Sequence, residues 1–131
     1  MQPRLVPPDL LSALWRVPRW GEWFARRALE MDFRCAYCDQ DMLQSVDTYF
    51  GWHLEHIIPL FHSGDETFEN ITLACFSCNA LKHSYIPIGS TREERIADAR
   101  RHIERKRAER QSELQQVQEI ARLARASGTS K

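Results

Sequence analysis

The sequence predicts an α+β fold in which a small two-stranded core carries a pair of zinc knuckles and is flanked by helices. Two Cys-x-x-Cys motifs bracket two runs of β-favouring residues, at 49–58 and 71–74. Apolar residues at helical spacing lie before and after this region. We therefore divide the 131 residues into an N-terminal helical segment (1–32), a core with the zinc site (33–88) and a long charged helix with a frayed tail (89–131).

The composition is that of a folded chain with one modest core, since apolar residues make up 43% and charged residues 27%. The first residues, Met1-Gln-Pro-Arg-Leu-Val, lack the apolar stretch of a signal peptide. No apolar run reaches the roughly 18 residues that a membrane span needs. We therefore expect a cytoplasmic protein without a membrane partner.

The four cysteines are expected to bind a structural zinc ion. They occur as Cys35/Cys38 and Cys75/Cys78, a spacing typical of a tetrahedral zinc site. The alternatives are disulfides, which need a secreted protein, buried free thiols, and a redox Cys-x-x-Cys, which would leave one pair unexplained. Four thiolates complete the coordination of zinc and leave no position for a catalytic water.

The N-terminal segment predicts two helices separated by Pro18. The first is short and capped by Asp9, and the second runs from about Trp20 to Met31. Aromatic residues at helical spacing are usually interior, so these are expected to form a small core rather than a base-stacking platform. They are Trp15, Trp20, Trp23 and Phe24.

In the core, a polar loop through Ser45 and Asp47 is predicted to precede a strand at 49–58. A loop then leads to a second strand at 71–74. The helix that follows the second knuckle is predicted over 76–85 and is stopped by a proline.

The last segment opens with Thr91-Arg-Glu-Glu94, a capping-box pattern, and continues to about Ala126 without proline or glycine. One long helix or two successive helices are therefore expected. The first part carries few apolar residues. The second part has an apolar stripe that is expected to contact the body or another chain, so the protein is a monomer or a homodimer through this helix. The stripe comprises Leu114, Val117, Ile120, Ala121 and Ala124.

The most informative residues are the strings His53-Leu-Glu-His56-Ile-Ile-Pro59 and Cys75-Phe-Ser-Cys78-Asn79-Ala-Leu-Lys82, with Asn70 between them. The region from Cys35 to His83 resembles the HNH endonucleases. That family has an acidic residue followed by His, Ile and Pro, then an Asn, then a Cys-x-x-Cys followed by His or Asn and by Lys. Glu55 stands where Asp is more usual, and Asn79 stands where His is more usual.

The resemblance implies a ββα-metal (His-Me finger) core that hydrolyses DNA, with RNA as the other candidate substrate. His56 would be the general base, because a neutral imidazole accepts a proton from water. Glu55 and Asn79 would hold a catalytic Mg²⁺ or Mn²⁺, which needs only one or two protein oxygens. Asn70 would tie the intervening loop to the strand that bears the base. Substrate contacts are expected from Lys82, His83 and His53.

Two geometric conditions follow from these assignments. Adjacent strand residues point to opposite faces, so Glu55 and His56 can share a site only if the strand bends or ends near them. Asn79, Lys82 and His83 lie at i, i+3 and i+4 of the last core helix, so they could face one phosphate-binding groove. The competing interpretation is a non-catalytic zinc module that binds nucleic acid or a partner protein.

The charge distribution limits how nucleic acid could be held. The net charge is zero, but the charges sum to +2 over residues 1–34, −6 over 35–91 and +4 over 92–131. The acidic centre cannot attract a polyanion by itself, so a cation and the basic flanks must contribute. Arginines in the last segment could follow a DNA backbone, but they alternate with acidic residues as in an ordinary salt-bridged helix.

Overall fold

The computed structural model describes residues 4–62 and 64–128, and it confirms the α+β class. Part of the predicted frayed tail, residues 129–131, lies outside the described residues. Over the two described ranges, no helix combines the length and apolar character required to cross a membrane. The elements are α1 (Pro8–Trp15), α2 (Glu22–Glu30), α3 (Val46–Gly51), β1 (His53–His56), a 3₁₀ turn (Phe68–Asn70), β2 (Ile71–Ala74), α4 (Phe76–Lys82) and α5 (Arg92–Ala126).

The sheet consists of β1 and β2, which pair antiparallel with Glu55 opposite Thr72 and His56 opposite Ile71. All four residues of β2 are buried, whereas Glu55 is the one buried residue of β1. A two-stranded ribbon is marginal by itself in water. Here α2 packs against β2, while α4 packs against both β1 and α5.

Two buried clusters meet at β2. Because successive strand residues face opposite sides, Leu73 belongs to one cluster and Ala74 to the other. The first cluster is aromatic and joins Leu73 to the N-terminal helices. The second contains three of the cysteines and the first turns of α5. The strand at 71–74, which the sequence predicted, is therefore shared by both clusters of the core.

The aromatic core is only partly the one predicted. Trp20 is buried and stacks on Trp52, with ring centroids 4.8 Å apart, and Phe24 meets Trp52 edge-on at 5.3 Å. Trp15 and Trp23 are exposed, so their assignment to the core is wrong. Trp52, which completes the stack, lies in the run for which the sequence predicts only a strand.

The predicted strand at 49–58 is wrong over its first half. Ser45 Oγ accepts a hydrogen bond from Thr48 N (3.1 Å), and Thr48 Oγ1 accepts one from Ser45 N (3.0 Å). This reciprocal capping box starts α3 where a polar loop was expected. Tyr49 accepts a hydrogen bond from Trp20 Nε1 at 2.9 Å, so tertiary packing prevails over the β propensity of the aromatic residues here.

Two smaller expectations also differ from the structure. Asp9 lies within the first turn of α1 and makes no cap; Pro7 is at the N-cap position, and Pro8 occupies the first turn, where its missing N–H costs nothing. The core helix α4 ends at Lys82 rather than near residue 85, because His83 adopts a φ of +48° that no helix can continue through.

The last segment forms one helix of 35 residues. Thr91 Oγ1 accepts from Glu94 N, but Glu94 Oε1 accepts from Ser90 N, so the predicted capping box is only half formed. The helix is anchored through its first part, where Ala99 and Ile103 are fully buried, although the sequence has few apolar residues there.

The apolar stripe in the second half of α5 is exposed at Leu114, Val117 and Ile120. This exposed face does not pack on the rest of the protein, which contacts earlier turns of the helix. A homodimer through this helix therefore stays a prediction.

An isoleucine-to-alanine substitution in each half of α5 tests which half stabilises the fold. Ile103→Ala should lower the free energy of unfolding by about 2–4 kcal/mol, because it opens a cavity in a fully buried cluster. Ile120, which is 65% exposed, is the matched control, and Ile120→Ala should change stability by less than about 0.5 kcal/mol. Urea unfolding of both variants measures the difference. Equal losses of unfolding free energy would contradict the packing of α5 on the core through its first half.

Candidate metal centre and active site

The four cysteines converge on one point. Their Sγ atoms all lie within 4.8 Å of one another, and those of Cys38 and Cys75 are 3.7 Å apart. A regular tetrahedron with Zn–S bonds of about 2.3 Å has edges of about 3.8 Å. Cys75 is the N-cap residue of α4 and Cys78 lies in its first turn, so the helix start presents both sulfurs. The donor set fits a structural zinc ion.

Hydrogen-bond donors surround these sulfurs. The backbone N–H groups of Tyr37 and Cys75 donate to Cys35 Sγ at 3.4 and 3.3 Å, and Arg107 of α5 donates to Cys78 Sγ at 3.4 Å. Hydrogen bonds from the Cys75 and Cys78 thiols lower the pKa of Cys35 to about 2, and the same bonds raise the pKa of Cys75 and Cys78. The bond to Cys78 also raises the pKa of Arg107. The N–H donors to Cys35 and Cys78 favour thiolate, which is the form that binds zinc.

A buried ion pair connects the sheet to α4. Lys82 Nζ lies 2.7 Å from Glu55 Oε1, with side chains that are 1% and 7% exposed. Tyr37 Oη donates to the other carboxylate oxygen, and Lys82 Nζ also donates to the backbone oxygen of His56 at 3.3 Å. Burial, followed by the charge of Glu55, raises the pKa of Tyr37 well above its usual value. The structure therefore places Lys82 inside the protein and not in a phosphate-binding groove.

A groove of about 280 Å³ lies between β1, the loop after it and α4. Four residues predicted for the site line this groove: Glu55, His56, Asn79 and His83. Because β1 ends at His56, Glu55 and His56 both border it despite being neighbours in the chain. Of the three helix residues expected to share a face, Asn79 and His83 reach the groove and Lys82 does not.

His56 has a partner that sequence reasoning missed. Its Nε2 lies 2.8 Å from Glu66 Oε1, and the imidazole is about three-quarters buried. When Nε2–H donates to this carboxylate, the lone pair of the ring is on Nδ1. Glu66 lies in the loop between the strands, where no motif or periodicity distinguishes it from other acidic residues.

Asn70 forms the hydrogen bonds that were expected to join the intervening loop to the strand of His56. Its Oδ1 accepts from Ile58 N and its Nδ2 donates to Ile58 O, both at 2.9 Å. The same Nδ2 donates to Asp65 O at 2.9 Å. A single amide therefore joins the end of β1 to the loop that carries Glu66.

His53 is placed differently from the other predicted site residues. Its ring lies 6.0 Å from that of Phe76, and it is absent from the described residues that line the groove. Its predicted contact with substrate has no geometric support. His83 lines the groove, with Nδ1 3.1 Å from Ser84 Oγ.

A two-stranded sheet followed by a helix, a four-cysteine metal centre and a histidine at the strand end define a small metal-binding α+β domain. Residues 35–85 match the family model of the HNH endonucleases, which confirms the resemblance seen in the motifs and indicates a nuclease-type domain over this segment. The match includes all four cysteines, both strands and α4. Searches of curated proteins and of solved structures found no match to this chain.

Removal of the structural metal should unfold the core. The purified protein is expected to contain one zinc ion per chain. A strong chelator should abolish its cooperative thermal transition, because a core of this size depends on the metal for stability. Cys78→Ser should lose zinc, whereas the adjacent exposed Ser77→Ala should keep it. Metal analysis and circular dichroism give both readouts; a chelated protein that stays folded would contradict the structural role.

The buried ion pair can be tested by comparing the stability of a single variant with that of a double variant. Lys82→Ala should cost about 3–5 kcal/mol of unfolding free energy, because it leaves the Glu55 carboxylate buried without its partner. The double variant Glu55→Gln/Lys82→Met should be more stable than Lys82→Ala alone. Lys106→Ala, which alters an exposed lysine, is the control. Equal stabilities of Lys82→Ala and Lys106→Ala would show that the ammonium is not buried.

Proposed function

We propose that this protein is a metal-dependent DNA endonuclease whose active site is the groove between β1 and α4. The observation that supports the proposal most directly is the pairing of His56 with Glu66 at the edge of a groove that Asn79 and His83 also line. These residues lie in the segment that matches the HNH endonucleases.

In this proposal His56 is the general base. Glu66 accepts a hydrogen bond from Nε2, so Nδ1 is the nitrogen that takes a proton from the attacking water. Glu66 is a positioning residue, because it fixes the tautomer of the ring and stabilises the imidazolium that forms. Asn70 supports this pair by holding the loop of Glu66 to the strand end that bears His56.

The groove also offers oxygen ligands for a hard cation. Asn79 presents an amide oxygen, and Glu55 has lone pairs left after Lys82 and Tyr37 each engage one oxygen. These two donors would also orient the carboxylate. A bound Mg²⁺ or Mn²⁺ supplies charge neutralisation on the phosphate and stabilisation of the departing 3′ oxygen. His83, one helical turn after Asn79, would contact the phosphate.

DNA is the substrate that we propose, cut to leave 5′-phosphate and 3′-hydroxyl ends. The acidic centre of the chain makes the basic flanks necessary for binding. Exposed Arg101, Arg105 and Lys106 lie on turns of α5 close to those that pack on the zinc centre, and these would follow the backbone. A four-thiolate zinc site also suits a reducing compartment, so we place the protein in the cytoplasm.

Metal-dependent cleavage is the decisive test. Supercoiled plasmid should be nicked or linearised by the pure protein with Mg²⁺ or Mn²⁺ and should stay intact without either. A structured RNA incubated in parallel separates the two nucleic acids. Binding without cleavage under every metal condition would favour the non-catalytic zinc module.

Two variants assign the roles within the site. His56→Ala should lower the cleavage rate by about 10²-fold or more, as expected for loss of a general base, while zinc content and fold are preserved. Glu66→Gln should lower it by about 10-fold, because a neutral amide orients the ring less well. His102→Ala and Glu69→Gln, which lie outside the groove, are the matched controls. Full activity of His56→Ala would overturn the assignment.

A further inference from the structure

Two exposed apolar side chains line the groove, and neither has a role in the proposed hydrolysis. Leu60 is 47% exposed and Phe61 is 71% exposed, and both border the same groove as His56 and Asn79. Single exposed apolar residues are common and need no explanation. These two are adjacent and stand at the edge of the proposed active site. We call them the apolar rim.

Backbone hydrogen bonds anchor the chain next to the apolar rim. Pro59 is buried, and its carbonyl accepts hydrogen bonds from His62 N (3.0 Å) and Gly64 N (3.1 Å). A Cβ atom at Gly64 would overlap the backbone oxygen of Ile58, so only glycine permits this close approach. Asn70 fixes the same backbone of Ile58 from the other side. The backbone on both sides of the apolar rim is therefore anchored.

The size and chemistry of the apolar rim limit what can cover it. Two side chains are far too few for a stable protein interface, which buries on the order of 1,000 Å² or more. Neither side chain can pair with a phosphate. The apolar part of a nucleotide is the face of its base, and an aromatic ring stacks on any base because every base has a π-face.

We propose that Phe61, supported by Leu60, stacks on a nucleobase beside the phosphate that is cut. This inference rests on the proposed function, since it assumes that the groove holds a DNA backbone. Stacking adds affinity that does not depend on charge, in a segment whose net charge of −6 repels DNA. It also positions the backbone relative to His56, because the base and its phosphate belong to one nucleotide.

The test compares two phenylalanines of similar exposure. Phe50, on α3, is 61% exposed and does not line the groove, so Phe50→Ala is the matched control. Phe61→Ala should lower kcat/KM for DNA cleavage by about 5-fold to 100-fold, the range for loss of one base–aromatic stack. Phe61→Trp should retain most activity. Unchanged thermal unfolding of both alanine variants shows that the fold is intact.

A fluorescence measurement separates stacking from a merely structural role. Duplexes carrying 2-aminopurine at successive positions around the mapped cut are bound to the His56→Ala protein. One position should change in fluorescence when its base meets Phe61, and His56→Ala/Phe61→Ala should lose that change while His56→Ala/Phe50→Ala keeps it.

The outcomes distinguish this inference from the proposed function. If wild-type protein does not cut DNA with either metal, the proposed function fails and the stacking proposal fails with it. If wild-type protein cuts DNA but Phe61→Ala matches Phe50→Ala in cleavage or in fluorescence, only the stacking proposal is overturned.

Discussion

The four-cysteine metal centre is the constraint on which the rest of this structure depends. Cys38 and Cys75 are 37 residues apart in the chain, and their sulfurs are 3.7 Å apart in space. The segment between them contains α3, both strands and the loop of Glu66. Strands of four residues cannot hold a groove open by their own pairing. Closing this segment with a metal brings β1 against α4 and also gives α5, through Arg107 and Ile103, a place to dock.

The same arrangement explains how an acidic segment forms an ordered site. Glu55 is buried, but Lys82 compensates its charge and Tyr37 donates a hydrogen bond to it, and Glu66 remains at the surface beside His56. The two glutamates therefore act in different places. Glu55 ties the sheet to the helix at the floor of the groove, and Glu66 holds the imidazole ring at its edge. A buried pair of this kind adds little stability compared with apolar packing but penalises any other arrangement of the two elements.

Much of the frame could be predicted from the sequence because it depends on short-range patterns. The cysteine spacing and the β-favouring run of β2 carry their meaning locally, and the role expected of Asn70 came from the family resemblance. The features that the sequence did not predict have a different origin. A capping box between Ser45 and Thr48 converts a run of strand-forming residues into α3, and the partners of Lys82 and His56 come from distant or unpatterned positions. Ion pairs that form only after folding leave no periodic signal in a sequence.

The second half of α5 extends a defined length beyond the metal centre. From Arg107, which touches the metal centre, to Ala126 the helix rises about 28 Å at about 1.5 Å per residue. Along B-DNA that span equals about eight base pairs at about 3.4 Å each. The exposed Leu114 to Ile120 face ends about 20 Å from Arg107 along the helix axis, which is about six base pairs, or about half a duplex turn. A partner bound to that face would therefore be held at a set distance from the metal centre.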